Sequence, residues 1–193
     1  MQQINAALNG APRLPVTFPT SGLGQQLAQV ARIISVHTTL CMNRQIFFAG
    51  MGGFDNHENL VASHAGLMAS LDAALGAFVG CMDARGTANE VTVFTESEFN
   101  RTGDANANIG TDHAWGSHQI VLGGAVNGGT YGTFPQHLLR GPDDAGDRGY
   151  WIPTTAIDQY AATLGGWFGV PDPALAAIFP KLASFAPQRL GFI

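Results

Sequence analysis

The chain has 193 residues, 46% of them hydrophobic and only 12% charged, with a formal net charge of −5. That is enough apolar material for the core of one domain. Without a Lys/Arg cluster it excludes the electrostatic footprint of a nucleic-acid or anionic-membrane binder. No uninterrupted apolar stretch approaches the ~20 residues of a membrane span, and Met1-Gln-Gln-Ile-Asn5 lacks the basic start and apolar middle of a signal peptide. Cys41 and Cys81 lie in apolar surroundings with no Cys or His at zinc-finger spacing, so both read as small buried hydrophobes.

The lead-in through Pro12, Pro15, Pro19 and Gly22 is turn-rich and aperiodic, which predicts irregular chain. A helix is expected from about Gly24 to Thr38, where Leu27, Val30, Ala31 and Ile34 recur at helical spacing. Arg44 to Ala49 reads as a first buried strand. A long helix from near Glu58 carries Leu60, Val61, Leu67, Leu71, Leu75 and Phe78, and Gly86 supplies a left-handed stop. Val91 to Phe94 reads as a second strand and Gln119 to Gly124 as a third. Further helices are expected over Thr155 to Phe168 and after Pro171-Asp-Pro173. Helix and strand alternation predicts an α/β fold with a mostly parallel sheet and crossover helices.

Each apolar run meets a cluster of Asp, Glu or His: Asp55 and His57 behind Gly52-Gly53, Glu98 after the second run, and Asp112-His113 before the third. Ligands of open α/β sheets bind beyond one sheet edge, at the carboxyl ends of strands. For the three clusters to meet there, the third strand must run antiparallel to the other two. Oxygen and nitrogen donors without thiolate suit Zn²⁺, Mn²⁺ or Mg²⁺ in a hydrolytic site. Arg101, three residues after Glu98, is a candidate for pairing with that carboxylate or for binding an anionic substrate. His118 reads as packed where the third strand begins, His37 and His64 as helix-surface or capping residues, and His137 as a loop residue.

Taken as a set, Gly24-Gln-Gln-Leu-Ala-Gln-Val-Ala-Arg-Ile-Ile34, Gly52-Gly-Phe-Asp-Asn-His57, Ser97-Glu-Phe-Asn-Arg-Thr102, Gly110-Thr-Asp-His113 and Ile152-Pro-Thr-Thr-Ala-Ile-Asp-Gln-Tyr160 resemble the C-terminal half of the bacterial "domain of unknown function" family numbered 1501. That family is related to the alkaline phosphatase and sulfatase superfamily. The resemblance implies a single domain over 1–193, forming the C-terminal part of a larger alkaline phosphatase-like domain. It implies a metal-dependent hydrolase of phosphate or sulfate esters, small-molecule or polysaccharide, with Asp55, His57, Glu98, Asp112 and His113 resembling divalent-metal ligands. In the superfamily the nucleophile comes from the N-terminal half, so this chain is expected to contribute metal ligands and no nucleophile. It implies export to the periplasm or beyond for full-length members, and pairing of this chain with another copy or with the N-terminal half. Asn100 departs from the family pattern by replacing a glycine. The rival expectation is a non-catalytic cell-surface or assembly protein that keeps the fold.

Overall fold

A computed structural model describes residues 2–193. Their order is α1 (Gln2–Asn9), α2 (Gly22–Ile34), α3 (Leu60–Ala84), β1 (Val93–Phe94), β2 (Asn100–Arg101), β3 (His113–Ala114), β4 (Val121–Leu122), α4 (Ile157–Phe168) and α5 (Asp172–Ile178). The chain divides into two compact units. The first runs to Thr92 and takes in Leu122–Gly124; the second comprises Val93–Val121 and Ala125–Ile193.

The expected mostly parallel sheet is not formed. Strand structure amounts to two antiparallel two-stranded sheets, β1 with β4 and β2 with β3. The physical reason is visible at Arg44 to Ala49, the expected first strand. Among the described residues it lies in no ladder, and Ile46 and Phe48 are 77% and 94% exposed. A short apolar run becomes a strand only when a neighbour takes its backbone hydrogen bonds. Just past this run the Gln26 amide donates to Gly50 O at 2.9 Å and accepts from Gly50 N–H at 2.9 Å. The second and third runs do pair, antiparallel. Thr95 N–H donates to Ile120 O at 3.0 Å, and the Thr95 hydroxyl accepts from Ile120 N–H at 2.9 Å.

In the first unit α2 packs on α3. Ser21 caps α2 by accepting from Gly24 N–H at 3.2 Å, and Gly24 lies so near Pro19 that a Cβ there would stand 2.4 Å from its carbonyl oxygen. Leu23, Leu27 and Ala31 of α2 are buried, as are Ala74, Phe78, Cys81 and Met82 of α3. The long helix ends as a Schellman stop: Gly86 takes φ +71°, and Thr87 N–H reaches Met82 O at 3.0 Å. Burial pushes the Cys81 thiol pKa up, against the opposing pull of Arg85. Cys41, expected to be buried, is exposed. The 25-residue α3 is long and apolar enough to cross a membrane by length and composition, although Asp72 and His64 interrupt it and its buried residues fall in its C-terminal half.

In the second unit Tyr160, Leu164 and Phe192 make the core, with Val121, Leu190 and Ile193 against it. Burial, then the Glu96 carboxylate, raises the Tyr160 phenol pKa, so the hydroxyl stays protonated and donates to Thr95 O at 3.1 Å. Gln159 opens α4 by accepting from Ala156 N–H at 2.9 Å, and Gly169 closes it at φ +95°.

Candidate metal and anion sites

Asp55 and His57 stand in the first unit, on irregular chain between the exposed 44–50 segment and α3. Gly53 takes φ +100°, which a side chain resists, and turns the chain there; Asn56 locks the turn by donating from its amide to Gly53 O at 2.9 Å. The turn brings Asp55 Oδ1 to 3.0 Å from His57 Nε2, with both side chains about half exposed. Two donors each ~2.1 Å from one divalent ion stand about 3.0 Å apart on an octahedral edge and about 3.4 Å on a tetrahedral one. The spacing and the oxygen-plus-nitrogen donor set therefore fit a divalent ion. Without an ion, the same distance serves a hydrogen bond from the imidazole to the carboxylate. His64, on the first turns of α3, meets Phe54 edge-to-face at 6.1 Å.

The remaining expected ligands belong to the second unit. β2 and β3 pair with Arg101 opposite His113, and Thr102 N–H extends the ladder to Asp112 O at 2.8 Å. Asp112 thus sits at one end of the ladder, while Glu98, exposed, lies beyond the other. Both Asp112 carboxylate oxygens are engaged. Oδ2 accepts from Arg148 Nη1 at 2.7 Å and Oδ1 from Asn106 Nδ2 at 3.1 Å. The hydrogen bond to Asp112 raises the Arg148 guanidinium pKa further, so the guanidinium stays charged. Asn106 Oδ1 also accepts from Asn108 N–H and Gly110 N–H, so Asp112, Asn106 and Arg148 together hold the small-residue loop over 102–110 in shape. His113 stacks on Phe99 with ring centroids 4.0 Å apart and planes within 20°.

Arg101 faces a different feature of the second unit, an open groove of about 400 Å³. Its guanidinium is oriented by Thr111, whose hydroxyl accepts from Nε at 3.1 Å and whose carbonyl accepts from Nη2, and it lies 5.9 Å from the Phe99 ring centroid. His118 and His137 line the same groove with Trp151. These rings belong to a column in which Phe134 stacks on His118 at 4.8 Å and His137 stacks on Trp151 at 4.6 Å, with Phe134 and His137 4.8 Å apart. Sequence reasoning placed His118 in packing and His137 in a loop. The signal it lacked was Trp151, the buried ring against which the column is built.

A family profile described as "Protein of unknown function (DUF1501)" matches residues 17–141. No curated protein and no solved structure matches the chain. The profile spans more than half of the 193 residues, including α2, α3, the Asp55–His57 turn and both β-ladders, and the chain belongs to that family.

Proposed function

We propose that the chain contributes to a metal-dependent hydrolase of phosphate or sulfate esters, of the alkaline phosphatase and sulfatase kind, in which Asp55 and His57 ligate a divalent ion. The observation that carries this reading is the 3.0 Å approach of Asp55 Oδ1 to His57 Nε2 on an exposed turn shaped by Gly53 and Asn56. A bound ion of this class would polarise an ester oxygen and stabilise developing negative charge. The chain's own part is to hold one carboxylate and one imidazole at ligand spacing, with both side chains about half exposed. Asp112 is better suited to anchoring its loop than to ligation, because an ion there would have to displace Arg148 and Asn106.

The test is metal content after dialysis against Zn²⁺ or Mn²⁺, read by inductively coupled plasma mass spectrometry and by calorimetric titration. Wild-type protein is expected to bind at least one ion per chain. Asp55→Ala and His57→Ala are each expected to weaken that binding by ~100-fold or more, beyond the 10- to 100-fold typical of losing a partner behind the ligands. Failure of the wild type to bind any divalent ion would end this reading.

A second reading, a non-catalytic assembly protein, is favoured by one observation, the solvent-facing Ile46 and Phe48 on a segment that lies in no ladder among the described residues. Self-association lost on substituting Phe48 is its signature.

A further inference from the structure

We propose that Asn127 is a site of spontaneous covalent modification, where the Gly128 amide nitrogen displaces ammonia from the Asn127 side chain and water opens the resulting ring to isoaspartate, loosening the C-terminal segment of the second unit. The inference does not rest on the metal reading. The chemistry needs a carboxamide followed by an amide nitrogen that is accessible, uncommitted and able to swing onto it. The chain has two Asn-Gly dipeptides, Asn9-Gly10 and Asn127-Gly128, and the fold treats them differently. Asn9 closes α1, and Gly10 N–H donates to Ala7 O at 3.2 Å, so that nitrogen is committed to the helix end. Asn127 and Gly128 lie exposed on irregular chain. Gly128 N–H has no hydrogen-bond partner among the described residues, and a Cβ built on Gly128 would meet nothing within 4 Å. With no side chain and open space around it, Gly128 can turn its nitrogen toward Asn127 Cγ. The carboxamide is lightly held, by one long bond from Nδ2 to Gly191 O at 3.5 Å. At every other asparagine the next residue carries a side chain, and at Asn106 the carboxamide is also committed to Asn108 N–H, Gly110 N–H and Asp112.

In the first step a bond forms from Gly128 N to Asn127 Cγ, the Cγ–Nδ2 bond breaks, and the Gly128 amide proton leaves with Nδ2 as ammonia. Water then breaks one of the two C–N bonds of the cyclic imide. Breaking the bond to the Asn127 main-chain carbonyl carbon gives isoaspartate, and breaking the bond to Cγ gives aspartate. One water is consumed, one ammonia is released and nothing is oxidised. Either product adds one negative charge to a chain already at −5. Isoaspartate also routes the main chain through Cβ and Cγ, lengthening it by one carbon where two parts of the unit are tied together. Asn127 N–H donates to Phe192 O at 2.8 Å, and Asn127 O accepts from the Tyr131 hydroxyl at 2.8 Å. Phe192 belongs to the core with Tyr160 and Leu164, and its ring meets Tyr131 edge-to-face at 5.7 Å. A main chain rerouted at 127 takes the carbonyl away from Tyr131 and shifts the amide that holds Phe192.

The experiment incubates the full chain at pH 6 and pH 8.5, native and in urea, in water enriched in heavy oxygen, and locates modified asparagines by peptide mass spectrometry with electron-transfer fragmentation. In native protein Asn127 is expected to convert about tenfold faster than Asn9 or more, because attack at Asn9 first requires the bond from Gly10 N–H to Ala7 O to break. In urea both dipeptides lose their surroundings, and their rates should converge. Conversion should be faster at pH 8.5, since the attacking nitrogen reacts in its deprotonated form. Gly128→Ala, whose Cβ the open space admits, is expected to slow conversion at Asn127 while the protein stays folded. Native protein aged until isoaspartate predominates is expected to melt below both fresh protein and the Asn127→Asp variant, which carries the charge without the extra carbon. Equal native rates at Asn9 and Asn127, or conversion of Asn127 in urea but not in the native chain, would overturn the proposed site. Aged protein that melts with Asn127→Asp would overturn the loosening of the C-terminal segment.

Discussion

Asp144 accepts four backbone hydrogen bonds with one carboxylate: from Arg140 and Gly149 on Oδ2, both at 3.0 Å, and from Gly146 at 3.1 Å and Tyr150 at 2.9 Å on Oδ1. Desolvation works against its charged form, but the four donors outweigh it, and its pKa lies below the ordinary carboxylate value. A native pKa below the unfolded one means that the ionised group stabilises the fold at neutral pH, and that this contribution is lost as pH falls through the carboxylate range. The loop so held leads directly into Trp151, which pairs across a bridge with Asp144 itself. Asp144→Asn keeps one acceptor oxygen and loses the charge. The variant is expected to melt below the wild type at pH 7 and to converge with it between about pH 5 and pH 2, read as melting temperature against pH. An unchanged gap between the two proteins across that range would show that the carboxylate does not hold the loop.

At the scale of elements, α2 packs on α3, with Ala31 of α2 and Ala74 of α3 fully buried and Phe78 of α3 at 2% exposure. Phe78→Ala leaves a void in that contact and is expected to cost about 3–5 kcal/mol in urea unfolding. A loss under ~1 kcal/mol would show that the helix pair does not depend on this contact. Helices α2 to α5 were legible because each carries its own hydrogen bonds, so periodicity and stop signals suffice; α1, over Gln2–Asn9, falls instead in the lead-in expected to be irregular. Gly86, Gly169 and the Pro171 start all mark observed ends, and the expected helix from Thr155 begins two residues later at Ile157. Strands were not legible in the same way. Arg44 to Ala49 and Val91 to Phe94 have similar apolar composition, yet among the described residues only the second enters a ladder, with a strand some 25 residues downstream. Composition reports that a segment is apolar; it does not report what will lie beside it. The candidate site divides likewise. Asp55 and His57 were legible as a pair because Gly52-Gly53 precedes them, whereas the commitment of Asp112 to Arg148 depends on a residue 36 positions away that no local pattern indicates.

At the scale of the whole molecule, the segment around Ile46 and Phe48 places two large apolar side chains in solvent. Ile46 and Phe48 are 77% and 94% exposed, and Gln26 holds the chain at Gly50. Exposed apolar side chains of this size are covered when a second copy packs on them. The expectation is concentration-dependent self-association of the purified chain, seen by sedimentation velocity. Phe48→Asp, which places a charge on the most exposed of these residues, is expected to shift the equilibrium to monomer while leaving the unfolding midpoint within ~0.5 kcal/mol of wild type, because Phe48 touches little of the core. The two measurements separate the causes. Dissociation together with a large loss of stability would place Phe48 in the fold of the single chain, whereas dissociation at unchanged stability would place it between copies. A wild-type chain that sediments as a monomer at every concentration would remove self-pairing as the role of this segment and, with it, the observation favouring the assembly reading over the hydrolase.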